Sequence, residues 1–241
     1  EYGVTPGVEA TTGCAVCWLS NSGGSLVGAS ITGGEVGIRV EGAASPTISE
    51  IMTVDAGVGA VVLGTSTPSF ADTSFSGASA GIAVEDTASP ELVRVLLNDN
   101  VDVGLRLGGA SNATVTELAV TGATAGGIGI LDDATPTIIG GSIDITGEVG
   151  VLYSGAAGGT IDGLAVRGPR IGIQVTGDAA PTLANIVAAG IGEAAALVLE
   201  RGAGTIESME CDEGESGVIG LQTDGDITIA DDVSCLVVEA G

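Results

Sequence analysis

Short segments in which every second residue is apolar recur along most of the chain. In Val36–Val40, for example, the apolar Val36, Ile38 and Val40 alternate with Gly37 and Arg39, which places these three apolar side chains on one face. Equivalent segments are Val58–Val62, Ala80–Val84, Val103–Leu107, Gly126–Ile130, Val149–Tyr153 and Ile171–Val175. A period of two is typical of a β-strand with one buried face, so Ile38 and its equivalents are predicted to stack in one inward column. No segment has a sustained period of 3.6 residues, and no helix is predicted.

A second pattern, a turn of small residues and proline followed by an apolar residue, shows that these segments belong to a tandem repeat. Residues 44–48 read Ala-Ser-Pro-Thr-Ile, and the position of Pro46 recurs at 24, 46, 68, 90, 113, 136, 159, 181 and 204. The step is always 22 or 23 residues, and five of the seven prolines occupy this position. Each repeat holds about three short strands, which must pair with those of the next repeat, roughly 4.8 Å away. The pattern therefore predicts an all-β fold, a single parallel β-helix (β-solenoid) of about ten coils with 22–23 residues per coil. Its crossovers are expected to be right-handed.

The Gly-Ile-x-Val segments and the Ala-Ser-Pro-Thr-Ile turn together resemble the right-handed parallel β-helix repeats of secreted bacterial proteins. The resemblance extends over nearly the whole chain. It implies a right-handed β-helix, but related β-helices include pectate lyases, polygalacturonases, epimerases, phage tailspikes and passive surface proteins. The fold alone therefore leaves the function open.

The repeats divide the chain into an extended N-terminal tail, residues 1–13, and a parallel β-helix domain, residues 14–241. Trp18 of the first coil takes the position that Val40 has in the next coil. Neither end shows an amphipathic helix that would cover the core, and unpaired strand edges are templates for pairing with another chain. We therefore expect head-to-tail self-association, unless capping segments lie in flanking sequence.

The charge of the chain excludes several classes of function. There are 31 acidic and 6 basic residues and no histidine, which gives a formal net charge of −25. The chain thus has no basic patch for nucleic acid or an anionic membrane, and no histidine for general-base catalysis or metal binding. No apolar run reaches about 18 residues, so no membrane span is predicted.

The four cysteines are predicted to form disulfides near the two ends of the rod, although four cysteines allow three pairings. Cys211 and Cys235 are separated by about one repeat, and equivalent positions on adjacent coils lie within the Cα range of a disulfide. We favour that pair within one chain. Cys14 and Cys17 form a C-x-x-C motif without the strand-to-helix context of a redox site. Structural disulfides indicate an oxidising compartment, so the protein is expected to be secreted, extracellular or at the cell surface.

One column of charged residues is a candidate site. Glu50, Asp72, Arg94 and Glu117 occupy equivalent positions in four successive coils. They could form a carboxylate pair with an arginine clamp, a calcium site at Glu50 and Asp72, or a ladder of surface charge. We interpret the column as a surface ladder, and the acidic pairs at 132–133 and 231–232 as turn residues. No catalytic, cofactor-binding or metal-binding residue and no cofactor is predicted.

The absence of histidine and lysine, the open ends, the terminal cysteines and several outward apolar residues favour one main hypothesis for function. The chain is predicted to be a non-catalytic secreted structural or surface-assembly subunit, not an enzyme, that stacks end to end into filaments. Its expected partners are further copies of itself and cell-surface or matrix components, with no nucleic acid and no membrane span. The alternative is a carbohydrate-active or carbohydrate-binding β-helix, related to polysaccharide lyases or glycosidases.

Overall fold

The computed structural model describes residues 13–211, 219–223, 226–235 and 237–239, and within these ranges the chain forms strands, turns and bends but no helix. The strands of the first half are β1 (Cys14–Trp18), β2 (Ser25–Val27), β3 (Ser30–Thr32), β4 (Val36–Val40), β5 (Thr47–Ser49), β6 (Met52–Val54), β7 (Val58–Val62), β8 (Ser69–Ala71), β9 (Ser74–Ser76), β10 (Ala80–Val84), β11 (Glu91–Val93), β12 (Leu96–Asn98), β13 (Val103–Leu107) and β14 (Thr114–Thr121). Those of the second half are β15 (Gly126–Ile130), β16 (Thr137–Asp144), β17 (Val149–Tyr153), β18 (Thr160–Asp162), β19 (Ala165–Arg167), β20 (Ile171–Val175), β21 (Thr182–Ala184), β22 (Ile186–Ala189), β23 (Ala194–Val198), β24 (Ala203–Cys211), β25 (Ile219–Thr223), β26 (Asp226–Ser234) and β27 (Val237–Glu239).

The strands stack into two long parallel sheets that run the length of the molecule. The first sheet has the order β1-β4-β7-β10-β13-β15-β17-β20-β23-β25-β27, so each neighbour comes from the next repeat along the chain. The second sheet contains 16 strands and is formed by the two shorter strands of each repeat, which merge in β14, β16, β24 and β26. The predicted fold class, a single right-handed parallel β-helix, is confirmed. Among the described residues, no helix is long and apolar enough to cross a membrane.

The core is a stack of aliphatic side chains, one layer per coil. Ile38 lies beside Ala60 in the first sheet, and each later member of the column lies beside its equivalent one coil away. The inward column that the sequence predicted is fully buried; its members are Ile38, Ile82, Leu105, Ile128, Val151 and Ile173. Trp18 also pairs in register with Val40 and is buried, as the repeat predicted. Stacking small layers in this way removes apolar area from water with few large aromatic side chains; the fully buried ones are Phe70, Phe75 and Tyr153.

A column of glycines precedes this inward column at Gly37, Gly59, Gly81, Gly104, Gly127, Gly150 and Gly172. The predicted inward position of Val36 is wrong: Val36 is half-buried and lies outside the main core, and the glycine that follows it faces inward. At this glycine the first sheet passes very close to the neighbouring wall of the coil. A Cβ atom built on Gly127 would lie 2.6 Å from the carbonyl oxygen of Gly150 and 2.7 Å from Cγ2 of Ile143. Real Cβ atoms do not approach other atoms this closely, so the repeat requires glycine here because of the close approach.

At several corners of the coil, acidic residues alternate with glycines from one coil to the next. The carboxylates of Asp86 and Asp132 accept hydrogen bonds, at 2.9 and 3.0 Å, from the backbone N–H groups of Gly64 and Gly109 on the preceding coil.

At another corner, the Asp55 carboxylate occupies the space that a Cβ on Gly77 would need. The Asp99 carboxylate likewise occupies the space that a Cβ on Gly122, in the following coil, would need. These acids therefore satisfy or cover the backbone of adjacent coils.

Tyr153 brings a hydroxyl group into the core. It occupies the inward position between Ile130 and Val175, it is fully buried, and its hydroxyl has no hydrogen-bond partner. Burial raises the pKa of the phenol because the phenolate cannot be solvated there. A buried hydroxyl without a partner lowers the stability of the folded state.

Replacing Tyr153 by phenylalanine is therefore expected to raise the free energy of unfolding by about 1 kcal/mol, because the ring stays and the unpaired hydroxyl is lost. Urea denaturation followed by circular dichroism measures this. Tyr153→Leu is the matched variant, which also removes the ring and is expected to destabilise the fold by leaving a cavity. A lower stability for Tyr153→Phe would show that the hydroxyl makes a favourable interaction.

The predicted tail at residues 1–13 lies, apart from Gly13, outside the described residues. The head-to-tail contact that was expected at the open ends is not tested by the structure of one chain, and it stays a prediction.

Candidate functional site

The structure brings the predicted charged column together at one corner of the coil. Glu50, Asp72, Arg94 and Glu117 all have left-handed backbone conformations, with φ of 54°, 53°, 50° and 55°. Arg94 donates two parallel hydrogen bonds to Asp72, with Nε–Oδ1 and Nη2–Oδ2 distances of 2.6 and 2.8 Å. These bonds hold the pKa of the Asp72 carboxyl below its usual range and raise the pKa of Arg94. Asp72 is thus already neutralised by Arg94, which fits the interpretation as a surface charge ladder.

Five of the six arginines form ion pairs of this kind on the surface. Besides the Arg94–Asp72 pair, the pairs are Arg39–Glu41, Arg106–Glu85, Arg170 with both Glu148 and Glu193, and Arg201–Asp178. The Arg201 guanidinium lowers the pKa of the Asp178 carboxyl in the same way. Because Arg167 is the sixth arginine, the chain has little positive charge left for an anionic ligand.

The structure pairs the cysteines near the two ends of the rod. Cys211 and Cys235 form a disulfide with a Cα–Cα distance of 5.2 Å, and Cys14 and Cys17 form one with a distance of 6.1 Å. The first of these links two adjacent coils across a sequence separation of 24 residues. Two disulfides are consistent with an oxidising compartment.

A polar concavity lies on the second sheet, where β22, β24 and β26 are adjacent. It has a volume of about 430 Å³. Its polar lining consists of Asn185, Ser208, Glu210, Asp231, Asp232 and Ser234. It is also lined by four apolar residues, Ile186, Val187, Met209 and Val233, of which Ile186 and Met209 belong to the buried core. We refer to this feature as the β24 cavity.

A local change in the coil creates the β24 cavity. In earlier coils the N–H of the corner residue donates to a backbone carbonyl of the next coil, as Gly163 does to Ala184. The N–H of Asn185 donates instead to Oγ of Ser208, at 2.7 Å. Between β24 and β26 the register then shifts, because Ile206 pairs with Ile229 but Ser208 pairs with Asp232. Such an irregularity bends a strand outward and redirects its side chains.

A ladder of hydrogen bonds fixes the polar side of this cavity. The side-chain amide of Asn185 donates to Oδ1 of Asp162 at 2.7 Å, and its carbonyl oxygen accepts from Oγ of Ser208 at 3.3 Å. Asn185 is thus held in one orientation between two neighbours. A fixed amide can present defined donor and acceptor groups to a ligand.

The carboxylates of the cavity come from positions that the sequence analysis placed elsewhere. Asp231 and Asp232 were predicted to be turn residues, but they lie within strand β26. That prediction is wrong, because β26 continues without the turn that interrupts most earlier coils. Glu210, Asp231 and Asp232 are all exposed at the surface. No group of three or more His, Cys, Asp or Glu in the described part of the chain is placed to hold a metal ion.

Comparison with known proteins identifies the family. The model of the right-handed β-helix region matches residues 8–143, more than half of the chain. The chain therefore belongs to the right-handed parallel β-helix family. No curated protein sequence matches the chain.

Solved structures with a similar fold include carbohydrate-active enzymes. One is the alginate lyase from Paenibacillus sp. str. FPU-7, with 10% identity, 93% of each chain covered and a TM-score of 0.53. Another is the catalytic unit of a thermostable GH87 alpha-1,3-glucanase from Streptomyces thermodiastaticus strain HF3-3, with 13% identity and a TM-score of 0.49. The latter comparison covers 95% of this chain and 49% of the glucanase. At such low identity these similarities show the fold alone.

The comparisons correct two predictions. The main hypothesis of a non-catalytic structural subunit, and the prediction that the chain is not an enzyme, are both wrong, because the structures that share this fold are carbohydrate-active enzymes. The physical error lay in treating the absence of histidine and lysine as an absence of catalysts. Two carboxyl groups are sufficient for cleavage of a glycosidic bond. The alternative, a carbohydrate-active or carbohydrate-binding β-helix, agrees better with the comparisons.

Proposed function

We propose that the protein is a secreted, carbohydrate-active β-helix that binds a polysaccharide at the β24 cavity. The observation that carries this proposal is the cavity itself, in which amide, hydroxyl and carboxylate groups lie beside the half-buried Val187 and Val233. Binding sites for small ligands typically combine an apolar lining with a few fixed polar groups. The cavity lies on the outer face of a rod, where an extended polymer can continue past it on either side.

The polar groups of the cavity suit a ligand that is rich in hydroxyl groups. Asn185 and Ser208 provide donors and acceptors, and the three carboxylates of Glu210, Asp231 and Asp232 provide acceptors. A sugar hydroxyl can donate to a carboxylate and accept from an amide at the same time. The ligand thus replaces the water that otherwise solvates these groups.

The same carboxylates favour hydrolysis over elimination. In hydrolysis, one carboxylic acid protonates the glycosidic oxygen while a second carboxylate activates water or attacks the sugar carbon. Glu210, Asp231 and Asp232 are the candidates for these two roles. Elimination from a uronic acid requires a cation that neutralises the sugar carboxylate, and no arginine lines the cavity. A polyuronate would also be repelled by the three carboxylates.

Two further observations support the proposal. The alginate lyase shows that a β-helix with a similar course of the chain can act on a polysaccharide. The two disulfides fit a protein that works outside the cell, where polymeric glycans are found.

The test is a comparison of three variants, Glu210→Gln, Asp231→Asn and Asp232→Asn, with the unaltered protein. Each is incubated with soluble neutral glucans and with alginate, binding is followed by retardation in glycan-containing gels, and cleavage by release of reducing ends. We expect binding to a neutral glucan in the unaltered protein, and loss of cleavage in at least two of the variants, because the reaction requires both an acid and a base or nucleophile.

Glu207→Gln is the matched control, because it removes one negative charge from the same strand without altering a residue that lines the cavity. It is expected to bind and cleave like the unaltered protein. Binding without cleavage would restrict the function to carbohydrate binding. Unsaturated products from alginate would contradict the preference for hydrolysis, and no binding to any glycan would contradict the proposal as a whole.

A further inference from the structure

A second concavity lies on the outer face of the first sheet, away from the β24 cavity. One coil of this sheet, strand β15, has glycine at both of its outward positions, Gly126 and Gly129. The neighbouring coils carry large side chains there. Gly126 lies between Val103 and Val149 in register. The absence of two side chains thus opens a slot one coil wide, which we call the β15 slot.

The residues that line the β15 slot are mostly apolar, and Asp102 and Arg106 are the charged ones. Gly129 lies between Arg106 on one side and Leu152 on the other, and Leu131 closes one end. The volume of the slot is about 250 Å³. The strands on either side are two strand spacings apart, roughly 9.6 Å, so the slot has the width of one layer of side chains.

We propose that the β15 slot binds one uncharged pyranose ring and serves as a second glycan-binding site. This inference rests on the proposed function in one respect, namely that the ligand of the protein is a carbohydrate. A pyranose ring is flat, with apolar C–H groups on its faces and hydroxyl groups around its edge. Its faces would pack against the aliphatic walls, and its edge would meet the rim.

The charges at the rim explain why the ring should be uncharged. Arg106 forms an ion pair with Glu85, with an Nη1–Oε1 distance of 3.0 Å, and Asp102 accepts a hydrogen bond from the hydroxyl of Ser79. The guanidinium has five N–H donors, more than one ion pair uses, and the carboxylate of Asp102 can accept further bonds. The rim thus offers hydrogen-bond donors and acceptors, but its one positive charge is already balanced by Glu85. An anionic sugar would be repelled, whereas hydroxyl groups can bond to both sides.

The slot can be filled without disturbing the fold. A Cβ built on Gly129 meets no atom within 4 Å, and its backbone is not in the left-handed region. The equivalent residues Val61, Ala83 and Leu152 show that this position accepts larger side chains in other coils. Gly129→Val should therefore fold normally and occupy the space of the ring. Ala83→Val is the matched control, because it adds the same side chain two coils away.

The experiment is a titration of protein labelled at leucine and valine methyl groups, observed by NMR, with cellotetraose and with maltotetraose. We expect shifts of the Val103, Leu131 and Leu152 methyl groups with at least one of the two sugars. These shifts should be retained in Ala83→Val and abolished in Gly129→Val, while shifts of Val187 and Val233 at the β24 cavity persist in both variants.

The possible failures can be distinguished. Shifts confined to Val187 and Val233 would overturn the second site and leave the proposed function in place. No shift with either sugar, together with no glycan binding in the gel assay, would overturn both. A response of the slot methyl groups to N-acetylphenylalanine amide but not to the sugars would also refute the proposal, since the occupant would then be an apolar side chain of a protein partner.

Discussion

Replacing Val151 by aspartate is expected to destabilise the rod by roughly 3–5 kcal/mol. Val151 is fully buried in the inward column of the first sheet, between Ile128 and Ile173. No basic residue reaches the core, so the new carboxyl group must be buried either without a counter-charge or in its protonated form. Because coils contact only their neighbours, the loss should be greatest in the coils around β17. Hydrogen exchange of the backbone amides, measured coil by coil, tests this.

The matched control is Leu152→Asp, one residue further along the same strand. Leu152 points to the outer face and is partly exposed, so its replacement places the charge in water. We expect a change of stability within about 1 kcal/mol. Similar destabilisation by both variants would contradict the inward and outward assignment of this strand.

Gly127→Ala is expected to cost about 3 kcal/mol, although it adds a single methyl group. The added carbon would lie 2.6 Å from the carbonyl oxygen of Gly150, which is backbone and cannot rotate away. It would also approach Cγ2 of Ile143 to 2.7 Å. The first sheet must then move away from the opposite wall, which breaks the packing of two coils. Thermal and urea denaturation give the loss directly.

Gly129→Ala, in the same strand, is the internal comparison and should change stability in the opposite direction. Its new methyl group meets open space, and alanine loses less backbone entropy on folding than glycine. We expect a gain of about 0.5 kcal/mol. If both alanine variants were equally stable, the close approach at Gly127 would not be a real constraint.

Much of the fold could be predicted because the repeat places each residue in register with the equivalent residues of the neighbouring coils. A period of two identified the inward face of β4 and its equivalents, and the spacing of 22 or 23 residues placed Trp18 above Val40. The corner column from Glu50 to Glu117 also followed from this spacing alone. What the spacing does not give is the pairing of side chains within a column, such as the bidentate contact of Arg94 with Asp72.

The β24 cavity could not be predicted for a related reason. It forms where the repeat breaks down, because β24 and β26 run past the corner and their register shifts after Ile206. A consecutive acidic pair such as Asp231 and Asp232 is typical of a turn in a regular repeat, but here it lies within strand β26, which has one extra residue relative to β24. Asn185 and Ser208 follow Gly163 at the corner position, and this change to amide and hydroxyl side chains was a signal in the sequence that these coils differ.

The alternation of acids and glycines at the corners has a consequence for how such a rod can change in length. Asp55 and Asp99 each lie over a glycine of the following coil, Gly77 and Gly122, whose missing side chain makes room for the carboxylate. Removing the coil that carries Gly77 would place Asp55 directly over Asp99, and removing a coil that carries one of these acids would place glycine over glycine. Removing two adjacent coils restores an acid over a glycine. In this stretch the unit of duplication or deletion is therefore a pair of coils, twice the period that the prolines mark.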